Sequence, residues 1–134
     1  MNDVTATEIF KDFTFEAAHR LPNVPDGHQC ANLHGHSYRV TVHVRGPVDP
    51  YAGWVTDFAD LSAAFQPLRD QLDHRCLNDL DGLDNPTSER LASWLWRRLA
   101  PHLAWLHQIT VRETATSGCT YRGTRQQQPA EPNP

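Results

Sequence analysis

The stretch His36 to Arg45, HSYRVTVHVR, alternates without a break: His36, Tyr38, Val40, Val42 and Val44 share one parity, and Ser37, Arg39, Thr41, His43 and Arg45 the other. A period of two sustained over this length fits a β-strand with one face buried and fits no helix. Gly46-Pro47 ends it. Phe10 to His19 alternates in the same way, with Phe13, Phe15, Ala17 and His19 opposite Thr14 and Glu16. The segment between them, residues 21–35, holds two prolines and two glycines and reads as a loop. A chain that starts this way must build a sheet with one apolar face and then cover that face.

Two helical patterns follow. Leu61, Ala64, Phe65, Leu68 and Leu72 recur at helical spacing from Asp60 to Leu72, and Pro67 inside that run predicts a kink or a shorter helix. Asn85-Pro86 predicts the start of a second helix, with Asn85 as N-cap and Pro86 in the first turn. Its buried stripe is Leu91, Trp94, Leu95 and Leu99, and Pro101 stops it. His107 to Glu113 alternates again, with Ile109, Val111 and Glu113 together, and Cys119 to Gly123 predicts a short last strand. The order ββααββ predicts an antiparallel α+β domain with both helices on one face of the sheet.

At 134 residues and 15.2 kDa the chain has the size of one domain, read as 1–123, with a loose lead-in over 1–7 and a folded part from Glu8 to Gly123. Residues 124–134, TRQQQPAEPNP, are polar and proline-rich and read as a disordered tail. Twelve Lys+Arg against sixteen Asp+Glu give −4 with no basic run, which argues against nucleic acid as a partner. No apolar run approaches the ~18 residues of a membrane span. The first residues lack a basic region followed by an apolar one, so a cytoplasmic location is expected. Cys30, Cys76 and Cys119 form no C-x-x-C and no even framework, so each thiol is judged singly; Cys76 and Cys119 read as structural.

Chemistry concentrates where the strand parities end. His19 continues the apolar face of its strand, His34 and His36 share the parity of Tyr38 and Val40, and Glu113 shares that of Ile109 and Val111. Burying such groups unpaired is costly. His34-Gly35-His36 turns two imidazoles the same way, and His19 adds a third nitrogen, a donor set that suits zinc with a position left open. The plainer alternative is a set of polar histidines beside a loop. Cys30, four residues before His34, reads as a fourth ligand, a reactive thiol near the metal, or a small loop residue. Asp73-His74 offers a carboxylate that can orient an imidazole for proton relay, or simply a solvated helix end. Glu113 is either a surface residue or an acceptor for two adjacent N–H donors, such as an aminopyrimidinone edge.

Taken together, FTFEAAHRL, C-x3-H-G-H-SY, LDH, NPTSE, VRET and GCTYRG resemble the 6-pyruvoyl-tetrahydropterin synthase superfamily from about Glu8 to Gly123. The short gap between Cys30 and the H-x-H pair most resembles the bacterial branch that forms 6-carboxy-tetrahydropterin for queuosine (7-deazaguanine) biosynthesis. The resemblance implies a tunnelling fold (T-fold), in which ββααββ subunits join their sheets into a barrel-like trimer and two trimers stack into a hexamer. It implies His19, His34 and His36 as zinc ligands, Cys30 as the catalytic thiol, Asp73 and His74 as the relay pair meeting Cys30 of another subunit, and Glu113 as the pterin anchor and a further catalytic member of the relay. It implies 7,8-dihydroneopterin triphosphate as substrate, with 6-carboxy-tetrahydropterin, acetaldehyde and triphosphate as products. No glycine-rich dinucleotide fingerprint is present, as expected of an internal redox reaction. Arg20, Arg39, Arg75, Arg112 and Arg122 are candidates for the triphosphate. The alternatives are the pyruvoyl-forming sister activity and a non-catalytic zinc module closed by Cys30.

Overall fold

Residues 7–123 are described by a computed structural model; the expected tail and most of the lead-in lie outside them. The two alternating stretches form long antiparallel strands, β1 (Thr7–His19) and β2 (His34–Gly46), each longer than the minimum run of alternation. They pair along their whole length, with Phe15 opposite Tyr38, Ala17 opposite His36, and His19 opposite His34. β4 (Leu106–Arg112) pairs with the other side of β2, placing Val111 opposite Val40 and Ile109 opposite Val42. β5 (Gly118–Tyr121) pairs with β4 and is the outer strand, shorter than the expected Cys119–Gly123 at its end.

One strand escapes the sequence pattern. β3 (Arg75–Cys76) pairs in parallel with Ala17 and Ala18 of β1, so the sheet order is β3-β1-β2-β4-β5 rather than four antiparallel strands. Two residues are too few to show a period, which is why alternation could not reveal it.

The helices α1 (Phe58–Leu72) and α2 (Ser88–Leu99) bury their apolar stripes against the strand residues of one parity. Phe15, Val40, Val42, Leu61, Phe65, Leu72, Leu91, Leu95, Ile109 and Val111 are all at most 1% exposed. Phe13 and Phe65 stack across the sheet–helix boundary at 4.3 Å. Burial of a side chain like Phe65 stabilises the fold by about 1.5–3 kcal/mol. The opposite sheet face carries Thr14, Glu16, Arg39 and Thr41, and among the described residues no helix covers it.

Two helix expectations are corrected. Pro67 does not shorten α1; burial of Leu68 and Leu72 beyond it outweighs the single hydrogen bond a proline removes. α1 is capped by Asp57, whose Oδ1 accepts from the Ala59 N–H at 2.9 Å. α2 begins at Ser88, not at Pro86, and its cap is Thr87, whose Oγ1 accepts from the Arg90 N–H at 3.1 Å. The Asn85-Pro86 pair stays in the preceding loop, where the Pro86 carbonyl has another task.

Candidate metal centre

The register explains how three imidazoles meet. His19 ends β1, and His34 and His36 open β2 across from it, so all three rings project from the helix-covered face at one end of the sheet. Gly35 leaves room between the strands: a Cβ there would lie 3.3 Å from the Ala17 carbonyl oxygen. His19 is fully buried, and His34 and His36 are half-buried. One nitrogen of each ring lies within 4.8 Å of the others.

The hydrogen bonds fix what those nitrogens present. His19 Nδ1 lies 2.8 Å from the Pro86 carbonyl oxygen, and His34 Nδ1 lies 2.7 Å from that of Asn32. A carbonyl only accepts, so each Nδ1 carries the proton and each Nε2 carries a lone pair. The two Nε2 atoms nevertheless face each other at 3.0 Å. With these tautomers neither can donate to the other, so this contact is no hydrogen bond. His36 Nε2 is buried and has no hydrogen-bond partner. Two opposed lone pairs and an orphaned third nitrogen are what a cation between them would satisfy. Nitrogens held by one tetrahedral zinc at about 2.0–2.1 Å sit roughly 3.3 Å apart, close to the 3.0 Å between His19 and His34, with the His36 nitrogen within 4.8 Å of both. The donor set therefore fits a zinc ion. Burial lowers the proton affinity of His19, which favours the neutral form a metal requires.

A hydroxyl beside the trio comes from a residue whose sequence pattern reads as core. Tyr38 is 1% exposed, stacks on Phe15, and places its hydroxyl 3.2 Å from His19 Nδ1. Burial, then the charge of Glu113, raises the Tyr38 hydroxyl well above its ordinary value, so it stays protonated. Its shared parity with His36 was the available signal; its apolar neighbours made it look like core.

Glu113 lies just beyond β4, its N–H bonded to the Ser117 carbonyl, with Oε1 3.8 Å from His36 Nε2. It thus borders the trio, as the parity of Val111 requires. Cys30 sits in a short 3-10 turn (Gln29–Ala31), half-buried, with its backbone oxygen accepting from the Leu21 N–H at 2.8 Å. It falls outside the group of three ligands, so among the described residues the fourth-ligand expectation lacks its geometry. The Cys119 thiol is pushed up to about 11 by burial, then by Glu89 and Glu113, and stays uncharged.

Asp73 and His74 do touch. His74 Nδ1 lies 3.1 Å from Asp73 Oδ2, while Asp73 Oδ1 accepts from the Glu16 N–H at 2.9 Å. That backbone bond, ahead of His74 and Arg69, holds the Asp73 carboxyl below the usual carboxylate range. His74 adopts φ 60°, a left-handed conformation costing a non-glycine residue about 1–2 kcal/mol. Its N–H donates to the Glu16 carbonyl at 2.6 Å, which offsets that cost and docks the pair on the edge of β1. A cavity of about 490 Å³ beside it is lined by Glu16, Gly35, His36, Ser37, His74 and Arg75. Another cavity of about 490 Å³, lined by Val44, Asp60 and Trp105 among others, holds none of the expected site residues. Among the described residues no hydrogen bond joins the Cys30 thiol to Asp73 or His74.

A family model described as 6-pyruvoyl tetrahydropterin synthase matches residues 8–124. A Synechocystis sp. protein named 6-carboxy-5,6,7,8-tetrahydropterin synthase is 42% identical over 123 residues, covering 87% of this chain and 94% of that protein. A Drosophila melanogaster protein named 6-pyruvoyl tetrahydrobiopterin synthase is 33% identical, covering 82% of this chain and 76% of its own length. The solved Caenorhabditis elegans 6-pyruvoyl tetrahydropterin synthase superposes with a TM-score of 0.84 at 31% identity, covering 92% of this chain and all of that one. No helix among the described residues is long and apolar enough to cross a membrane.

Proposed function

The chain belongs to the 6-pyruvoyl tetrahydropterin synthase family, and on that footing we propose that it converts 7,8-dihydroneopterin triphosphate and water to 6-carboxy-5,6,7,8-tetrahydropterin, acetaldehyde and triphosphate. Its α+β architecture is the T-fold of that family. The observation that carries the reading is the convergence of three imidazole nitrogens beside Glu113. The carboxy-forming branch is favoured by the short Cys30-to-His34 gap and by the similarity to the Synechocystis protein. The product would feed queuosine biosynthesis.

His19, His34 and His36 would hold zinc, which when bound supplies Lewis acidity toward the oxygens of the substrate side chain. Glu113 offers two carboxylate oxygens to two adjacent N–H donors of the pterin ring, a pairing that fixes both position and orientation. Asp73 accepts from His74 Nδ1, leaving Nε2 free to take or give a proton. Cys30 Sγ exchanges the second proton, reaching His74 of a neighbouring subunit in a hexamer built of two trimers. Protons thus move between side chain and ring, and the ring is reduced as the side chain is oxidised. Arg75 lines the His74 cavity and has no ion-pair partner among the described residues, which makes it the best-placed of the five arginines for the triphosphate. Arg39 is engaged by Asp12 at 3.2 Å, and Arg122 by Gln108 at 3.0 Å.

The test is product analysis by mass spectrometry after incubating zinc-loaded protein with 7,8-dihydroneopterin triphosphate. The expected products are 6-carboxy-tetrahydropterin and acetaldehyde. A pyruvoyl product would assign the sister activity, which the Drosophila and C. elegans relatives keep in view. Unchanged substrate with zinc bound would overturn the reading in favour of a binding module.

A further inference from the structure

One side-chain amide makes three hydrogen bonds at the end of β1, and neither the motifs nor the ligand set includes it. Asn78, two residues past β3, accepts on Oδ1 from the Arg20 N–H at 2.9 Å and donates from Nδ2 to the Arg20 carbonyl at 2.9 Å. The same Nδ2 reaches the Asp84 carbonyl at 3.4 Å. Arg20 follows His19 in the chain, and Asp84 stands two residues before Pro86, whose carbonyl accepts from His19 Nδ1. We propose that Asn78 is a positioning residue for the metal centre: it locks the His19 end of β1 to the 84–86 loop, and so holds the carbonyl that keeps the His19 Nε2 lone pair turned toward the metal.

The partners fix which way the amide lies. Only its oxygen can accept from the Arg20 N–H, and only its nitrogen can donate to two carbonyls. Asn78 thus gives Arg20 the two-way exchange a strand partner would give. It prolongs the pairing of β3 with Ala17 and Ala18 past the end of that two-residue strand. The extension matters because His19 is the last residue of β1 and is fully buried, so its ring follows wherever that strand end sits. The acceptor needs fastening too. Pro86 has no N–H to anchor its own loop, and the Thr87 N–H bonds back to the Asn85 carbonyl at 2.9 Å. The Nδ2 bond to Asp84 ties that loop directly to the strand end. A metal-ligating histidine takes its tautomer and orientation from the partner of its other nitrogen, and loss of such partners typically weakens metal binding by about 10- to 100-fold. Asn78 acts through the Pro86 carbonyl, which sets the low end of that range. That the three histidines hold zinc rests on the function proposed above.

The test measures zinc affinity by competition with a chromophoric chelator, and the His19 Nδ1–H signal by NMR of the zinc-loaded protein. Wild type is compared with Asn78→Ala, which loses all three bonds, and with Asn78→Asp, which keeps the shape and the Arg20 N–H acceptor but loses both donated bonds. Asp57→Ala, which removes the α1 cap, is the control for destabilisation alone. The expected result is a zinc dissociation constant raised about tenfold in both Asn78 variants, with the His19 Nδ1–H signal broadened or lost. Asp57→Ala should match the wild type in both readouts. If Asn78→Ala does not fold, Asn78→Asp carries the comparison. Zinc should also slow hydrogen exchange of the Arg20 amide in the wild type, since coupling between the clamp and the metal is reciprocal. An affinity within twofold of the wild type in the Asn78 variants, an unchanged ring signal, an equal loss in Asp57→Ala, or Arg20 exchange indifferent to zinc overturns the proposal. A wild type that binds no zinc would sink the metal reading of the site and this proposal with it. Tight zinc binding that the Asn78 variants share would sink this proposal alone.

Discussion

Loading the proposed three-histidine site with zinc should stabilise this protein by an amount the histidine geometry sets. Without a cation, the His19 and His34 lone pairs oppose each other at 3.0 Å. One ring must change tautomer to relieve this, giving up its bond to the Pro86 or Asn32 carbonyl, worth about 1 kcal/mol. His36 Nε2 remains buried without a partner, at about 1–3 kcal/mol. The sum, about 2–4 kcal/mol, is of the size that a ligand at 30- to 1,000-fold over its dissociation constant contributes by mass action. For a chain of this length it corresponds to roughly 8–16 °C in melting temperature. The assay is thermal unfolding followed by circular dichroism, with zinc and with chelator, on the wild type and His36→Ala. A zinc-dependent shift in the wild type that is absent from His36→Ala is expected. A shift below about 2 °C, or one that His36→Ala retains, would refute the tautomer argument.

Cys30→Ala should keep zinc content and the melting profile while losing turnover, since Cys30 lies outside the ligand group; retained activity in the product assay would remove the thiol from the reaction. Acid should weaken the metal centre through His19, whose folded-state proton affinity is lowered by burial. The unfolded chain then binds the extra proton first, so this contribution is present above the ordinary value of 6.5 and is lost as pH falls below it toward the folded-state value; a pH series of zinc-loaded melts that stays flat from 7 to about 5 would contradict this. Phe65→Ala removes a fully buried ring stacked on Phe13 and should cost about 3–5 kcal/mol in urea unfolding, with zinc binding retained in the folded fraction.

Much of the site was legible because strand parity is an all-or-none signal. A one-residue slip would turn His19, His34 and His36 to the other face, so the alternation of Phe13, Phe15, Ala17 and of Tyr38, Val40, Val42 carried the histidines with it. Glu113 followed from Val111 by the same rule. What stayed hidden depends on contacts between distant segments. β3 exists because Arg75 and Cys76 meet the edge of β1, which no local pattern announces. The contact between Asp73 and His74 follows from both docking on the Glu16 backbone, fifty-odd residues away. Asn85-Pro86 carried a helix-start signature, yet Thr87 also satisfies the capping chemistry and the helix took the later start. The Pro86 carbonyl is thereby left to hold His19, a role that composition could not suggest.

The central claim is a single cation held by three Nε2 atoms, and a diffraction experiment at the zinc absorption edge tests it most directly. One anomalous peak per chain, about 2.0–2.1 Å from Nε2 of His19, His34 and His36, is the predicted result. A peak on Cys30 or elsewhere, or none in zinc-loaded crystals, would contradict it.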